Sequence, residues 1–289
     1  MGSPGLLRSL LELTKARITF FVTLSVATGY LLFAGQLEAA MLMPMAGVFL
    51  LSCGSAALNQ LQEWRIDAQM ARTKNRPIPA GRIAPEWALL LVILLIGAGL
   101  YLLALVEHHV YVVLGLGVFS VLWYNGVYVL LKRVTAFAVV PGALLGAIPP
   151  VIGWCAAGGV VTDVGMLEVA FFFFLWQIPH FWLLSILYGR EYEAAGMPTP
   201  SRYLDEGQFR RVTFVWILAV AACALALAVT RGLGLPWNAV VAVVTIWLVL
   251  ISLPILRASA DRKTALQVFL RLNLYALVVM LALVLDVLL

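Results

Sequence analysis

Residues 39–67 read AAMLMPMAGVFLLSCGSAALNQLQEWRID, and the chain continues to residue 82 as AQMARTKNRPIPAGR. A run of apolar residues ends in Asn59, Glu63 and Asp67, spaced four apart. In a helix, side chains at i, i+4 and i+8 fall within about 80° of one face. Hydrocarbon offers polar oxygens no partner, so acids at the mouth of an apolar span mark a functional site. Oxygen ligands on one face suit Mg2+, which takes one or two carboxylates and completes its sphere with substrate phosphates. Arg72, Lys74 and Arg76 follow directly and suit the phosphates, while Pro77 and Pro79 stop any helix there. The stretch predicts a membrane helix that ends in a diphosphate-and-magnesium site.

Working outward, the chain has 289 residues, 63% hydrophobic and 11% charged. No water-soluble domain of this size has that composition. Apolar runs of about 20 residues are too long for barrel strands, so the expected fold is an all-α integral membrane protein. Nine spans are expected, near 17–35, 40–60, 87–106, 110–131, 136–157, 165–187, 212–230, 236–256 and 266–288. They form one polytopic domain over 1–289, with longer loops near 62–86 and 188–211. Eighteen of the 19 Lys and Arg then fall on one side, and only Arg231 on the other. The positive-inside rule makes the crowded side cytoplasmic, with the N-terminus inside and the C-terminus outside. This asymmetry accounts for the net charge of +5 and leaves no soluble basic patch for nucleic acid.

Cys53, Cys155 and Cys223 lie in apolar segments without metal spacing and read as small buried residues. The start shows neither a cleavable signal nor a transit region, so a bacterial plasma membrane is expected. Met1-Gly2 lacks the hydroxyl residue that myristoylation wants where Leu6 stands. In the second long loop, His180, Tyr188 and Glu191 share a stripe if the helix continues past Gly189, and Glu193 points away. Pro179 frees a backbone carbonyl beside His180, which reads either as a helix–helix hydrogen bonder or as a substrate-side residue. Lys132 and Arg133 serve orientation or phosphate binding, with Tyr124 and Asn125 seven to nine residues before them. Gly142, Ala143, Gly146 and Ala147 are small enough to let helices approach closely. His108 and His109 read as solvated loop residues.

These segments together resemble the protohaem IX farnesyltransferases (haem O synthases), a branch of the UbiA-type prenyltransferase superfamily. The likeness is carried by Leu13-Thr14-Lys15-Ala16-Arg17, by Asn59, Glu63, Asp67, Arg72, Thr73, Arg76 and Pro77, and by Lys132-Arg133-x-Thr135. It continues in Gly146-Ala-x-Pro149-Pro150, Trp176-Gln177-x-Pro179-His180 and Glu191-Tyr192-x2-Ala195-Gly196-x-Pro198. Ala16 stands where Pro is usual, Glu191 where Asp is commoner, and Ala138 where many relatives carry an amide.

The resemblance implies nine helices around a central cavity and a Mg2+-dependent transfer of farnesyl from farnesyl diphosphate to a vinyl group of haem b. It implies metal ligation by Asn59, Glu63 and Asp67, and by Glu191 at a second ion with Tyr188 beside it. Arg72, Lys74, Arg76, Lys132 and Arg133 would meet the diphosphate, and Tyr124, His180 and Tyr188 the haem side. The expected location is an inner membrane; hand-off of product to a haem A synthase or terminal oxidase, and a homo-oligomer, are left open by the sequence. Two rival readings are a UbiA-type enzyme acting on another aromatic or a chlorophyllide, and a membrane transporter. Against the transporter, the polar groups gather at one face, and no inverted repeat is evident.

Overall fold

The computed structural model describes residues 5–257 and 262–289. Met1 and Gly2 lie outside the described residues. A short helix α1 (Leu6–Leu13) precedes α2 (Ala16–Ala34), α3 (Leu42–Asp67) and α4 (Pro85–Leu103). Helix α5 (Val110–Val121) continues through a π-helical segment, Leu122–Tyr128, into α6 (Val129–Val134). Then follow α7 (Val139–Ala156), α8 (Val164–Ala194), α9 (Glu206–Thr230), α10 (Leu235–Ser252) and α11 (Arg262–Leu288). Nine of these stretches among the described residues are long and apolar enough to cross a membrane, at the places expected.

Local chemistry sets the helix ends. Pro85 opens α4, where a missing N–H costs nothing. Asp205 and Gln208 form a reciprocal cap on α9. Gly35 ends α2 with φ 71°, a conformation that only glycine adopts freely. Gly189 does not break α8, which runs on to Ala194, and Pro179 sits inside it.

Helix α2 touches α3, α7 and α11, and α7 touches α2, α5 and α8, so this pair lies at the middle of the bundle. Glycine makes their crossing possible. A Cβ on Gly29 would lie 1.8 Å from the Pro150 carbonyl oxygen, and one on Gly153 would lie 1.9 Å from that of Val26. The small residues picked out on α7 act the same way: Gly142 lies against the Tyr128 ring and Gly146 against Gln177 of α8. Outward positions are apolar, as lipid requires: Ile93 is 60% exposed and Val243 65%. The exposed rings of Trp87 and Tyr111 stand at span ends, as an aromatic belt does.

Candidate active site

Helix α3 carries Asn59, Glu63 and Asp67 inward together, and all three are buried. Glu63 Oε2 accepts from Lys132 Nζ at 2.7 Å and from Asn59 Nδ2 at 3.1 Å. Glu63 Oε1 is buried and has no hydrogen-bond partner. Asp67 Oδ2 accepts from Arg76 Nη1 at 2.7 Å. That contact depends on a tight return of the chain: the Thr73 hydroxyl donates to the Asp67 carbonyl at 2.9 Å, and Thr73 is itself buried. Residues 68–84 form turns rather than a helix, so Arg76 reaches Asp67 by this loop and not by helical phasing.

The π-helical segment supplies the opposite wall. One extra residue in a helical turn re-aims side chains, and such segments recur at functional sites. Tyr124 O–H approaches Asn59 Oδ1 at 3.5 Å and its ring stacks on Tyr128 at 5.7 Å. The Lys132 ammonium lies 5.6 Å from the Tyr128 ring centroid. Asn125, at the same segment, donates to the Ser55 carbonyl at 3.0 Å and ties the segment to α3.

A second group joins the two long loops. The Arg72 backbone N–H donates to Glu191 Oε2 at 3.2 Å, and its guanidinium donates to the Tyr192 hydroxyl at 3.0 Å. Two guanidinium groups approach the Tyr188 ring centroid, Arg72 at 5.0 Å and Arg262 at 5.2 Å. A phenol ring with two cations within cation–π distance is suited to that contact rather than to metal ligation. Glu193, as phased, points elsewhere and accepts from Thr199 and Ser201.

Other expected residues are not gathered. Lys74 is exposed, and Arg133 is exposed and donates to the Gln62 carbonyl at 3.2 Å. His180 does not join Tyr188 and Glu191. Its Nδ1 meets Asn273 Oδ1 of α11 at 2.8 Å, so it bridges two helices. Asn273 Nδ2 donates to the Phe269 carbonyl at 2.6 Å, which turns its oxygen toward His180. The proton therefore sits on Nδ1, and Nε2 is the acceptor.

Lys15, one of the basic residues on the crowded side, interacts electrostatically with this cluster as well. Burial first, then the like charges of Arg76 and Lys132, push its ammonium down to about 8, against the pull of Glu63 and Asp67. Three cations thus face two carboxylates. The sequence signal was a lysine placed where an apolar helix meets a span. Gln60, Asn125 and Asn273 had no signal beyond being amides inside apolar runs.

The donor set fits a hard divalent cation. Glu63 Oε1 has no partner, Asn59 Oδ1 has one long contact, and one Asp67 oxygen remains beside its ion pair. Among the described residues no three of His, Cys, Asp and Glu gather to hold a metal by themselves. An ion here would take an amide oxygen and two carboxylates, and complete its shell with phosphate or water. Near Glu191 the chain offers one carboxylate, which already accepts from the Arg72 backbone N–H, a poorer fit for a second ion.

A family model described as "UbiA prenyltransferase family" matches residues 16–279. A protoheme IX farnesyltransferase of Oleidesulfovibrio alaskensis is 40% identical over 201 residues, 68% of this chain and 69% of that protein. One from Geobacter sulfurreducens is 38% identical over 219 residues, 75% of this chain and 79% of that one. Among solved structures, a digeranylgeranylglyceryl phosphate synthase superposes with TM-score 0.77 at 16% identity, covering 98% of each chain. A UbiA homolog from Archaeoglobus fulgidus bound to GPP and Mg2+ superposes with TM-score 0.67 at 11% identity, covering 97% of this chain and 99% of that one.

Proposed function

This chain belongs to the UbiA prenyltransferase family, and from that premise we propose that it moves the farnesyl group of farnesyl diphosphate onto a vinyl carbon of haem b. Water adds to the neighbouring carbon, giving haem O and diphosphate. The names and identity levels of the relatives support the acceptor and donor. The observation that carries the reading is the buried Asn59–Glu63–Asp67 row facing Arg76, Lys132 and Lys15.

Ionising an allylic diphosphate places new negative charge on the leaving group. Cations fixed in a water-poor site stabilise that charge at little reorganisation cost. Arg76 and Lys132 neutralise Asp67 and Glu63, and the same two cations exchange partners and turn to the phosphates when substrate enters. Asn59, Glu63 and Asp67 would hold Mg2+, which supplies Lewis-acid neutralisation of the diphosphate oxygens. Tyr124 and Tyr128 present aromatic faces beside the cluster and keep bulk water from the allylic cation. The C1–O bond breaks, the vinyl carbon bonds to C1, and the porphyrin side carbon is left cationic. Water adds there, and its proton leaves with the diphosphate. His180, with Nε2 unprotonated, is an acceptor available to the haem side. In this reading Arg72 and Glu191 close the two loops over the substrate head.

The location is a bacterial plasma membrane with the N-terminus and both long loops cytoplasmic, and haem O passes on within the bilayer to a haem A synthase or terminal oxidase. The test is purified protein with farnesyl diphosphate, haem b and Mg2+, with products read by mass spectrometry. Haem O should form and should stop with full chelation by EDTA. Intact haem b throughout overturns the acceptor, and turnover that survives chelation overturns the metal.

A further inference from the structure

We propose that Arg262 and Lys263 receive the propionate carboxylates of the acceptor porphyrin, in a cavity at the cytoplasmic end of the seam between α8 and α11. They would thereby fix which edge of the macrocycle faces the prenyl donor. This names a subsite for the reading above and rests on it.

An open cavity of about 490 Å3 is lined by Leu187 and Tyr188 of α8 and by Arg262, Lys263 and Leu266 of α11. That volume suits a small organic ligand. Its walls are of two kinds, an apolar side made by two leucines and a tyrosine ring, and two adjacent cations. Among the described residues neither cation lies within ion-pair distance of a carboxylate. The Arg262 guanidinium rests instead 5.2 Å from the Tyr188 ring centroid, and Arg72 approaches the same ring at 5.0 Å. The Arg72 guanidinium donates to the Tyr192 hydroxyl at 3.0 Å, while Glu191 takes only its backbone N–H. Two guanidinium groups on one ring and a lysine on the same cavity thus leave three positive charges without a counter-ion. Like charges this close repel, and an anion between them relieves the cost. Membrane orientation calls for cations anywhere in the segment before α11, but not for two of them as walls of a cavity.

The cavity is joined to the chemistry. Arg72 lies four residues before Arg76, in the turn segment that carries Arg76 to Asp67. Eight residues inward along α8 from Tyr188, about 12 Å at 1.5 Å per residue, the same seam holds His180. Its ring meets Asn273 and Phe269 of α11. The seam therefore runs from cations at the cytoplasmic end to aromatic rings further in. Haem b has the same gradient, with two propionates on one edge and vinyl groups on the other. Its carboxylates cannot follow the ring into hydrocarbon without a large desolvation cost, so they stay at the charged end and the vinyl edge turns inward. Arg262 can take a carboxylate through two parallel N–H groups, and Lys263 adds a point charge. A phospholipid headgroup would satisfy the charge, but not the link through Tyr188 to the loop that carries Arg76.

The full chain in detergent is titrated with haem b, followed by its Soret band, and with haem b dimethyl ester, whose propionates carry no charge. No prenyl donor is present, so binding is read apart from turnover. The double variant Arg262→Gln, Lys263→Gln should bind haem b about 10-fold more weakly and the ester as the parent does. The parent should itself bind the ester about 10-fold more weakly than haem b. KM for farnesyl diphosphate and the thermal midpoint should hold. Parental affinity of the double variant for haem b overturns the subsite alone, and so does an equal loss for haem b and the ester. A loss that appears only when phosphatidylglycerol is added assigns the two cations to a lipid headgroup and overturns it too. A parent that binds neither porphyrin overturns the acceptor and the subsite together.

Discussion

Replacing Lys132 by Met strands Glu63, whose side chain is 9% exposed in the ion pair. Breaking one side of a buried pair costs about 3–5 kcal/mol, because the remaining charge stays desolvated. Asn59 still donates to the same oxygen at 3.1 Å, which favours the lower figure, about 3 kcal/mol. At on the order of 2 °C per kcal/mol for a chain this long, the thermal midpoint should fall by about 6 °C. Adding Glu63→Gln removes the stranded charge and should bring stability back to within about 1 kcal/mol of the parent, since neutral side chains of similar volume replace a buried pair at little net cost. Turnover should not follow. The single variant lacks a cation that meets the leaving group and should lose roughly 10²- to 10³-fold in kcat, and the double variant, which also lacks a carboxylate that would hold the metal, should lose at least as much. Thermal unfolding in detergent and haem O formation, measured on the same preparations, give both numbers. A double variant that regains its midpoint and keeps more than a tenth of parental turnover would refute the reasoning, because the pair would then be an anchor only.

Asp67→Asn keeps an acceptor for Arg76 but removes its counter-ion in a pair whose side chains are 21% and 5% exposed; turnover should fall at least about 100-fold and stability by up to about 3 kcal/mol, read by the same two assays. Gly153→Ala places a Cβ 1.9 Å from the Val26 carbonyl, so α2 and α7 must separate. The cost should be about 3 kcal/mol or more, seen as a lower midpoint and loss of monodisperse protein on size exclusion. The Glu12 carboxyl is held below its ordinary range, chiefly by its hydrogen bond from Arg82. A depressed carboxylate contributes stability above the unfolded value of about 4.3 and loses it as pH falls through the folded value. Acidification below about pH 4 should therefore loosen residues 6–15 first, seen as faster hydrogen exchange there, and Glu12→Gln should abolish that pH response.

The nine spans, their order and the acidic row were legible in the sequence because each rests on short-range physics. A bilayer imposes run length, helical period puts i, i+4 and i+8 on one face, and hydrocarbon tolerates Asn59, Glu63 and Asp67 only where they do something. The partners of that row were not legible. Arg133 looked as good as Lys132, and Lys74 as good as Arg76, because neighbours in a charge cluster have equal claims until the backbone path is known. Two features decided among them: the Thr73 return that turns Arg76 toward Asp67, and the π-helical turn that sets the azimuth of residues 124–132. His180 shows the same limit, since helical phase put it on a stripe with Glu191 while Asn273, far along the chain, turned its ring toward α11. What the sequence determined alone was everything that solvent and helical periodicity impose on one segment at a time. What only the tertiary structure decided was which charges meet, because that depends on how segments distant in the chain are rotated and brought together, and no local interaction carries that information.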